Sequence, residues 1–167
     1  FELLDSGQIW LSETPNKKGS VGWDASLSRS AVWAKLKLRD SESNPFVVFG
    51  THFDHRGKEA RFESAKLLIE HIESLDSGTP IVVMGDLNCE PNSKPMKAFF
   101  RGGFSSAISK GDGGTFHSFK GHEDGRQIDF ILLNEHWSVE SSAILRPRKD
   151  GKSASDHDPV VAKIKEH

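Results

Sequence analysis

The sequence holds one cysteine, Cys89, so no internal disulfide can brace it. It has no apolar run longer than a strand: Phe46-Val47-Val48-Phe49 and Ile81-Val82-Val83-Met84 fall far short of a bilayer crossing, and no transmembrane segment is expected in this chain. It also lacks a dominant charge. With 22 Lys and Arg against 24 Asp and Glu, the formal net charge is -2, and such a surface does not as a whole attract polyanions. A phosphate-bearing substrate would therefore need a local basic patch or a bound cation. There is no Gly-x-Ser-x-Gly elbow, which sets aside a serine esterase. The glycine-rich stretch from Lys110 to Thr115 lacks the Gly-Lys-Ser/Thr ending of a phosphate loop and reads as a plain loop. Repeats and low-complexity tracts are absent. The chain opens at Phe1 with no initiator Met, basic leader or signal-like stretch, and is read as a piece cut from a longer chain. Its localisation stays open.

What is present suits one domain. The 167 residues, 35% hydrophobic and 28% charged, are enough for a single core, and residues 1–167 are taken together. Two segments are built alike: "NPFVVFGTHFDH" and "TPIVVMGDLNCEP" each run from a Pro-marked turn through a short apolar strand to a glycine, Gly50 or Gly85, and then turn polar. Continuous apolar runs of this kind suit strands covered on both faces. Between them, Phe62, Ala65, Leu68, Ile69, Ile72 and Leu75 recur at three- and four-residue steps, predicting one amphipathic helix from Gly57 to Leu75, stopped by Ser77-Gly78-Thr79-Pro80. Upstream, "AVWAKLKLRD" alternates Val32, Ala34, Leu36 and Leu38 with Trp33, Lys35, Lys37 and Arg39, predicting an antiparallel strand with the first set inward; "GQIWLS" is its candidate partner. A helix is expected from Ser93 to Phe100 with Asn92 as N-cap. Three more strands are expected in "RQIDFILLN", "WSVESSAIL" and "DPVVAKI".

Polar groups collect at the strand ends. Asp156, His157 and Asp158 stand directly before the apolar run Pro159-Val160-Val161-Ala162. Burying such charges is costly unless they are paired or bind a metal. Three other stretches do the same: Thr51-His52-Phe53-Asp54-His55, Gly85-Asp86-Leu87-Asn88 and Arg126-Gln127-Ile128-Asp129-Phe130. Each alone has an ordinary explanation: a structural histidine, a turn, or a buried Asp paired with Arg. Asp86 and Asn88 are two apart, so on an extended chain both would point into one site.

In that order the four stretches resemble the endonuclease/exonuclease/phosphatase superfamily, which includes deoxyribonuclease I and many phosphoesterases. Ser155-Asp156-His157 followed by x-Pro-Val is the most specific element. "SLSRSAVWAKLKL" and "THFDHRGKEAR" further resemble a bacterial branch of mostly unassigned substrates. The resemblance implies an α/β (α+β) fold, part of a four-layer α/β/β/α sandwich of mostly antiparallel sheets flanked by helices. It implies a Mg2+- or Mn2+-dependent phosphoesterase cleaving a phosphodiester or phosphomonoester, with nucleic acid among the candidate substrates. Asp156 would sit at the metal, His157 would be the base on the attacking water, and Asp129 would orient its ring. Asp86 would place the water, Asn88 would hold a phosphate oxygen, and His52 would add a donor or the acid. Arg29 and His117 are weaker candidates for substrate contact, each equally readable as structural. Asp54, His55 and Arg56 suggest a loop salt bridge. Cys89 has no base pattern around it. The remaining histidines, His71 included, are expected in solvent and the tryptophans in packing.

The family's metal-binding Glu has no counterpart here; Glu2 and Glu13 do not sit in a matching context. On the order of a hundred further residues are expected upstream, forming the N-terminal part of the same domain, and this segment alone is expected to bind metal poorly. The competing expectation, motivated by the missing Glu, is an inactive binding or scaffold domain that retains the fold.

Overall fold

The computed structural model describes every residue except Asp40, Ser41, Ser77 and Lys110. Ser77 and Lys110, which open the expected turn and glycine-rich loop, thus lie outside the described residues. The chain runs through β1 (Glu2–Trp10), β2 (Ser30–Lys37), β3 (Phe46–His52), α1 (Lys58–Glu73), β4 (Ile81–Asp86), α2 (Lys94–Arg101), β5 (Ser105–Ser106), β6 (Asp129–Leu133), β7 (Trp137–Ile144) and β8 (Val160–Glu166). A six-stranded sheet has the order β1-β2-β3-β4-β6-β5, and β7 pairs with β8 in a two-stranded sheet. Among the described residues only β3 and β4 pair in parallel, joined by the α1 crossover; the other strand pairings are antiparallel.

Strand alternation sorts the side chains onto two faces. Val47 and Phe49 of β3, Ile81 and Val83 of β4, and Phe130 and Leu132 of β6 pack with Ala65 and Leu68 of α1 and with Met96 and Phe99 of α2. Each fully buried Phe here contributes about 1.5–3 kcal/mol relative to exposure. On the opposite face, Val48, Val82, Ile131 and Leu133 meet Trp137, Ala162 and Ile164 of the small sheet. The result is an α/β fold stacked helix, sheet, sheet, as expected for part of an α/β/β/α sandwich. No helix among the described residues is long and apolar enough to cross a membrane.

Three local expectations change. In β2 it is Ala31 and Trp33 that join the core under α1, while Val32 is 53% exposed. The small sheet covers the opposite face over β3, β4 and β6, so Val32 on the more apolar side of β2 stays exposed. α1 ends at Glu73, and its early amides are capped from afar: Asp24 Oδ1 accepts from Ala60 N at 2.7 Å and Oδ2 from Glu59 N at 3.3 Å. That contact pulls Asp24 below the usual carboxylate range. α2 starts one residue later than expected, with Ser93 at the N-cap position in place of Asn92. The two-residue β5 carries no pattern that a sequence reading could detect.

Candidate active site

The site begins as a row across the sheet. In register, His52 of β3 lies beside Asp86 of β4, and Asp86 lies opposite Asp129 of β6. All three therefore emerge on the face away from the helices, about 4.8 Å apart strand to strand. Gly85 makes the close approach of β3 and β4 possible: its φ is +141°, and a Cβ there would run into the carbonyl oxygen of Thr51.

His157 is carried over this row by the connection between β7 and β8. Its Nδ1 lies 2.8 Å from Asp129 Oδ2 and its Nε2 3.9 Å from Asp86 Oδ2. Phe116 packs on the ring, centroid to centroid 5.0 Å, and bridges His157 on one side and Arg126 on the other. Buried Thr115 ties the parts together. Its Oγ1 accepts from Ile128 N at 3.0 Å and Asp129 N at 3.1 Å, and its carbonyl accepts from Asp158 N at 2.7 Å.

Charge is unbalanced here. Partial burial alone would lower the His157 pKa, but the Asp129 hydrogen bond and the charges of Asp129, Asp86 and Asp156 outweigh it and raise the ring above its ordinary value. Burial, and then the like charge of Asp129, push Asp86 upward against the bond it accepts from Asn88 N. His52 moves the other way. Desolvation, with Arg29 and His157 nearby, lowers it despite the attraction of Asp86, favouring the neutral ring.

Asn88 faces the site for a reason other than the expected one. β4 stops at Asp86, and Asn88 has φ +48°, a left-handed conformation that Asn tolerates. A turn, closed by Asn88 N donating to Asp86 Oδ1 at 2.8 Å, brings it round. Its Nδ2 then donates to the carbonyl of Phe53 at 3.0 Å and lies 3.1 Å from His52 Nε2.

The rim is held by a buried carboxylate. Asp54 accepts from Ser26 N, Ser26 Oγ and Leu27 N on one oxygen and from Arg56 N and Gly57 N on the other. Burial opposes its ionisation, but those donors prevail and hold its pKa far below the carboxylate range. The expected loop salt bridge is thus a backbone clamp, and it fixes the segment bearing Leu27 and Arg29. Arg29 lines the same hollow as His52, Asp86, Asn88 and His157, a space of about 630 Å³. Its Nε is buried without a hydrogen-bond partner among the described residues, and its Nη2 is 3.5 Å from His55 Nδ1.

Other expected residues fall elsewhere. His117 is 1% exposed, with Nε2 3.3 Å from Asp158 Oδ1, so no surface remains on it for a substrate. It is packed against Asp158 with neither ring nitrogen hydrogen-bonded among the described residues, a placement the sequence does not reveal. Asp156 is half-buried and outside the group formed by Asp86, Asp129 and His157, whose ligand atoms lie within 4.8 Å of one another. Its carbonyl accepts from His117 N and Ser118 N. Burial pushes the Cys89 thiol up to about 12, which removes it as a nucleophile. His71 is not a solvent group: its ring lies 6.0 Å from Phe49 and 6.2 Å from Trp33. Phe116, Thr115 and Arg126 had no expected role. The one sequence signal for Arg126 is its place three residues before Asp129 in Arg126-Gln127-Ile128-Asp129.

Similar proteins share both sequence and shape. Protein angel of Drosophila melanogaster is 31% identical over 58% of this chain and 27% of its own length. An endonuclease/exonuclease/phosphatase of Bacteroides vulgatus is 35% identical, covering 99% of this chain and 66% of that one with a TM-score of 0.90. A mannosyl-6-phosphatase of Bacteroides thetaiotaomicron is 29% identical over 98% of this chain and 67% of its own, with a TM-score of 0.87. The chain thus spans about two thirds of these solved structures and about a quarter of the curated relative. Residues 8–157 match the sequence profile of the Endonuclease/Exonuclease/phosphatase family, and with the His157–Asp129 pair set over the Asp86 row, the chain belongs to that family.

Proposed function

We propose that the protein is a divalent-metal-dependent phosphoesterase hydrolysing by in-line attack of water. The observation that carries this reading is the 2.8 Å contact between His157 Nδ1 and Asp129 Oδ2 above in-register Asp86. With Nδ1–H donated to Asp129, the free Nε2 is the atom that takes the proton from water. Asp129 fixes that tautomer and stabilises the ring once protonated. Asp86 accepts a hydrogen bond from the water and aligns it. The new bond joins the water oxygen to phosphorus as the bond to the leaving oxygen breaks. Asn88 and the Arg29 guanidinium line the hollow where the phosphate oxygens would lie, and His52 serves as a neutral hydrogen-bonding ring more than as a cationic acid.

The donor chemistry fits Mg2+ or Mn2+. Asp86 and Asp129 are like charges forced into one register, with Asp156 beside His157 in sequence, and such an acidic group is relieved by a cation. Asp156, together with the Asp86–Asp129 edge, would hold it. When bound, the ion neutralises charge developing on the phosphoryl oxygens. The mannosyl-6-phosphatase relative supports a phosphate ester as substrate. The test is His157→Ala in the full-length protein, assayed on bis-p-nitrophenyl phosphate with Mg2+. Turnover should fall by orders of magnitude with the fold intact, and unchanged turnover rejects the reading.

A further inference from the structure

A second hollow adjoins the first. Lys58, Arg61, Lys94 and Arg126 line a space of about 440 Å³ whose wall also includes Asn88. The active-site hollow is lined by the same Asn88 and Arg126, so the two spaces share a border. The chain as a whole carries -2, yet four cations meet a single carboxylate here, Glu90, whose Oε1 lies 3.4 Å from Arg126 Nε. Among the described residues, neither Lys58 nor Lys94 belongs to an ion pair.

Where those two lysines sit is the second observation. Lys58 is the first residue of α1 and Lys94 the first of α2. A helix start carries partial positive charge, so a cation there is unfavourable and an anion favourable. α2 has no acidic residue in its first turn to offset this. The α1 start is already met by Asp24 and Glu59, but the α2 start meets no carboxylate of its own and opens on the same wall as two arginines. A surface selected for stability alone would place Asp or Glu at Lys94. An incoming anion would reverse the sign of the cost at the α2 start, with Lys58 as a further cation on the wall.

We propose that this hollow is a second phosphate subsite of the active centre, holding a phosphate that a small substrate carries besides the one being hydrolysed. The inference rests on the phosphoesterase reading above and adds a substrate class to it: small esters bearing two phosphate groups. The scissile phosphate lies against Asn88 and His157, and the second reaches past Arg126 toward Lys58 and Lys94. The basic patch that the near-neutral composition demanded is this one.

The test uses the full-length protein and the double variant Lys58→Glu/Lys94→Glu. Inorganic phosphate, titrated calorimetrically without metal, should bind the variant about ten-fold more weakly. His157→Ala should not produce that loss. Both lysines are exposed, so the variant should melt within a few degrees of the parent; a loss of binding is then not a loss of fold. In the catalytic arm, the ratio of kcat/KM for glucose 1,6-bisphosphate over glucose 6-phosphate should be well above one and should fall about ten-fold in the variant. Equal phosphate affinity in parent and variant, an unchanged ratio, or a preference for an oligonucleotide over the bisphosphate would overturn the subsite. If the parent hydrolyses no phosphate ester at all, the catalytic reading fails on its own, and the calorimetric arm still decides whether the pocket binds phosphate.

Discussion

His157 and Asp158 are neighbours in sequence, yet they belong to two His–Asp clusters of opposite character. His157 meets Asp129 at 2.8 Å, with side chains 26% and 17% exposed, and its further neighbours are the carboxylates Asp86 and Asp156. Asp158 meets His117 at 3.3 Å with both side chains 1% exposed, and two arginines close the set: Arg146 Nη1 and Arg148 Nη1 each donate to it at 2.7 Å. The first cluster holds more negative charge than it can balance and opens on a hollow. The second is balanced by cations and sealed. A buried charge with its partners in place has no capacity left for a ligand. An unbalanced one at a surface does, which is why chemistry is assigned to the first pair and architecture to the second.

The largest expected contrast comes from exchanging the two losses. His157→Ala should lower phosphodiester turnover by about 10²–10⁴-fold while the urea midpoint, read above the folded His157 pKa, barely moves. Asp158→Ala should leave its arginines without their buried partner and cost about 2–4 kcal/mol of stability, read from urea denaturation. An Asp158 variant as stable as the parent would erase the distinction between the clusters.

Next comes Asp129→Asn, which keeps the shape of the first pair but removes its charge. Turnover should drop by about 10–100-fold, as for loss of an orienting partner. The ascending limb of the rate–pH profile should also move to lower pH, because the base works only when neutral and Asp129 is what raises its pKa. A limb that stays in place would detach Asp129 from the base.

The two clusters should also answer pH in opposite directions. The folded pKa of His157 is raised, so its contribution to stability is full below the ordinary imidazole value of about 6.5 and fades as pH rises through the folded value. Asp158 is lowered, chiefly by Arg148 against the opposing effect of burial. Its contribution is full above the ordinary carboxylate value of about 3.9 and fades as pH falls. Urea midpoints of His157→Ala and Asp158→Ala relative to the parent, measured across pH 3–8, would separate the two slopes; parallel curves would contradict the assignment.

The smallest effect is expected at Thr115, which touches both clusters. Thr115→Val removes the acceptor for Ile128 N and Asp129 N and should cost about 1–3 kcal/mol, with turnover falling alongside as Asp129 loosens. Stability loss with turnover fully retained would show that Asp129 is held by its strand alone.

Much of this was legible along the chain. The apolar runs marked β3 and β4, the three- and four-residue spacing marked α1, and the polar breaks after Gly50 and Gly85 marked strand ends, because backbone periodicity is a local property. The four polar stretches could be named as one candidate set for the same reason: each interrupts an apolar run. Local pattern could not say which face of β2 would be covered, since that depends on where the small sheet lies. Nor could it separate His117 from His157, two histidines in loops whose fates depend on partners about thirty to forty residues away.

By itself, the sequence determined the elements and the chemistry available at their ends, since both follow from side-chain type and spacing. Only the tertiary structure decided which charges were left unbalanced. Strand register set Asp86 against Asp129, the left-handed turn brought Asn88 round, and Arg146 and Arg148 closed over Asp158. Electrostatic energy depends on distance and burial, and neither is written in the order of residues.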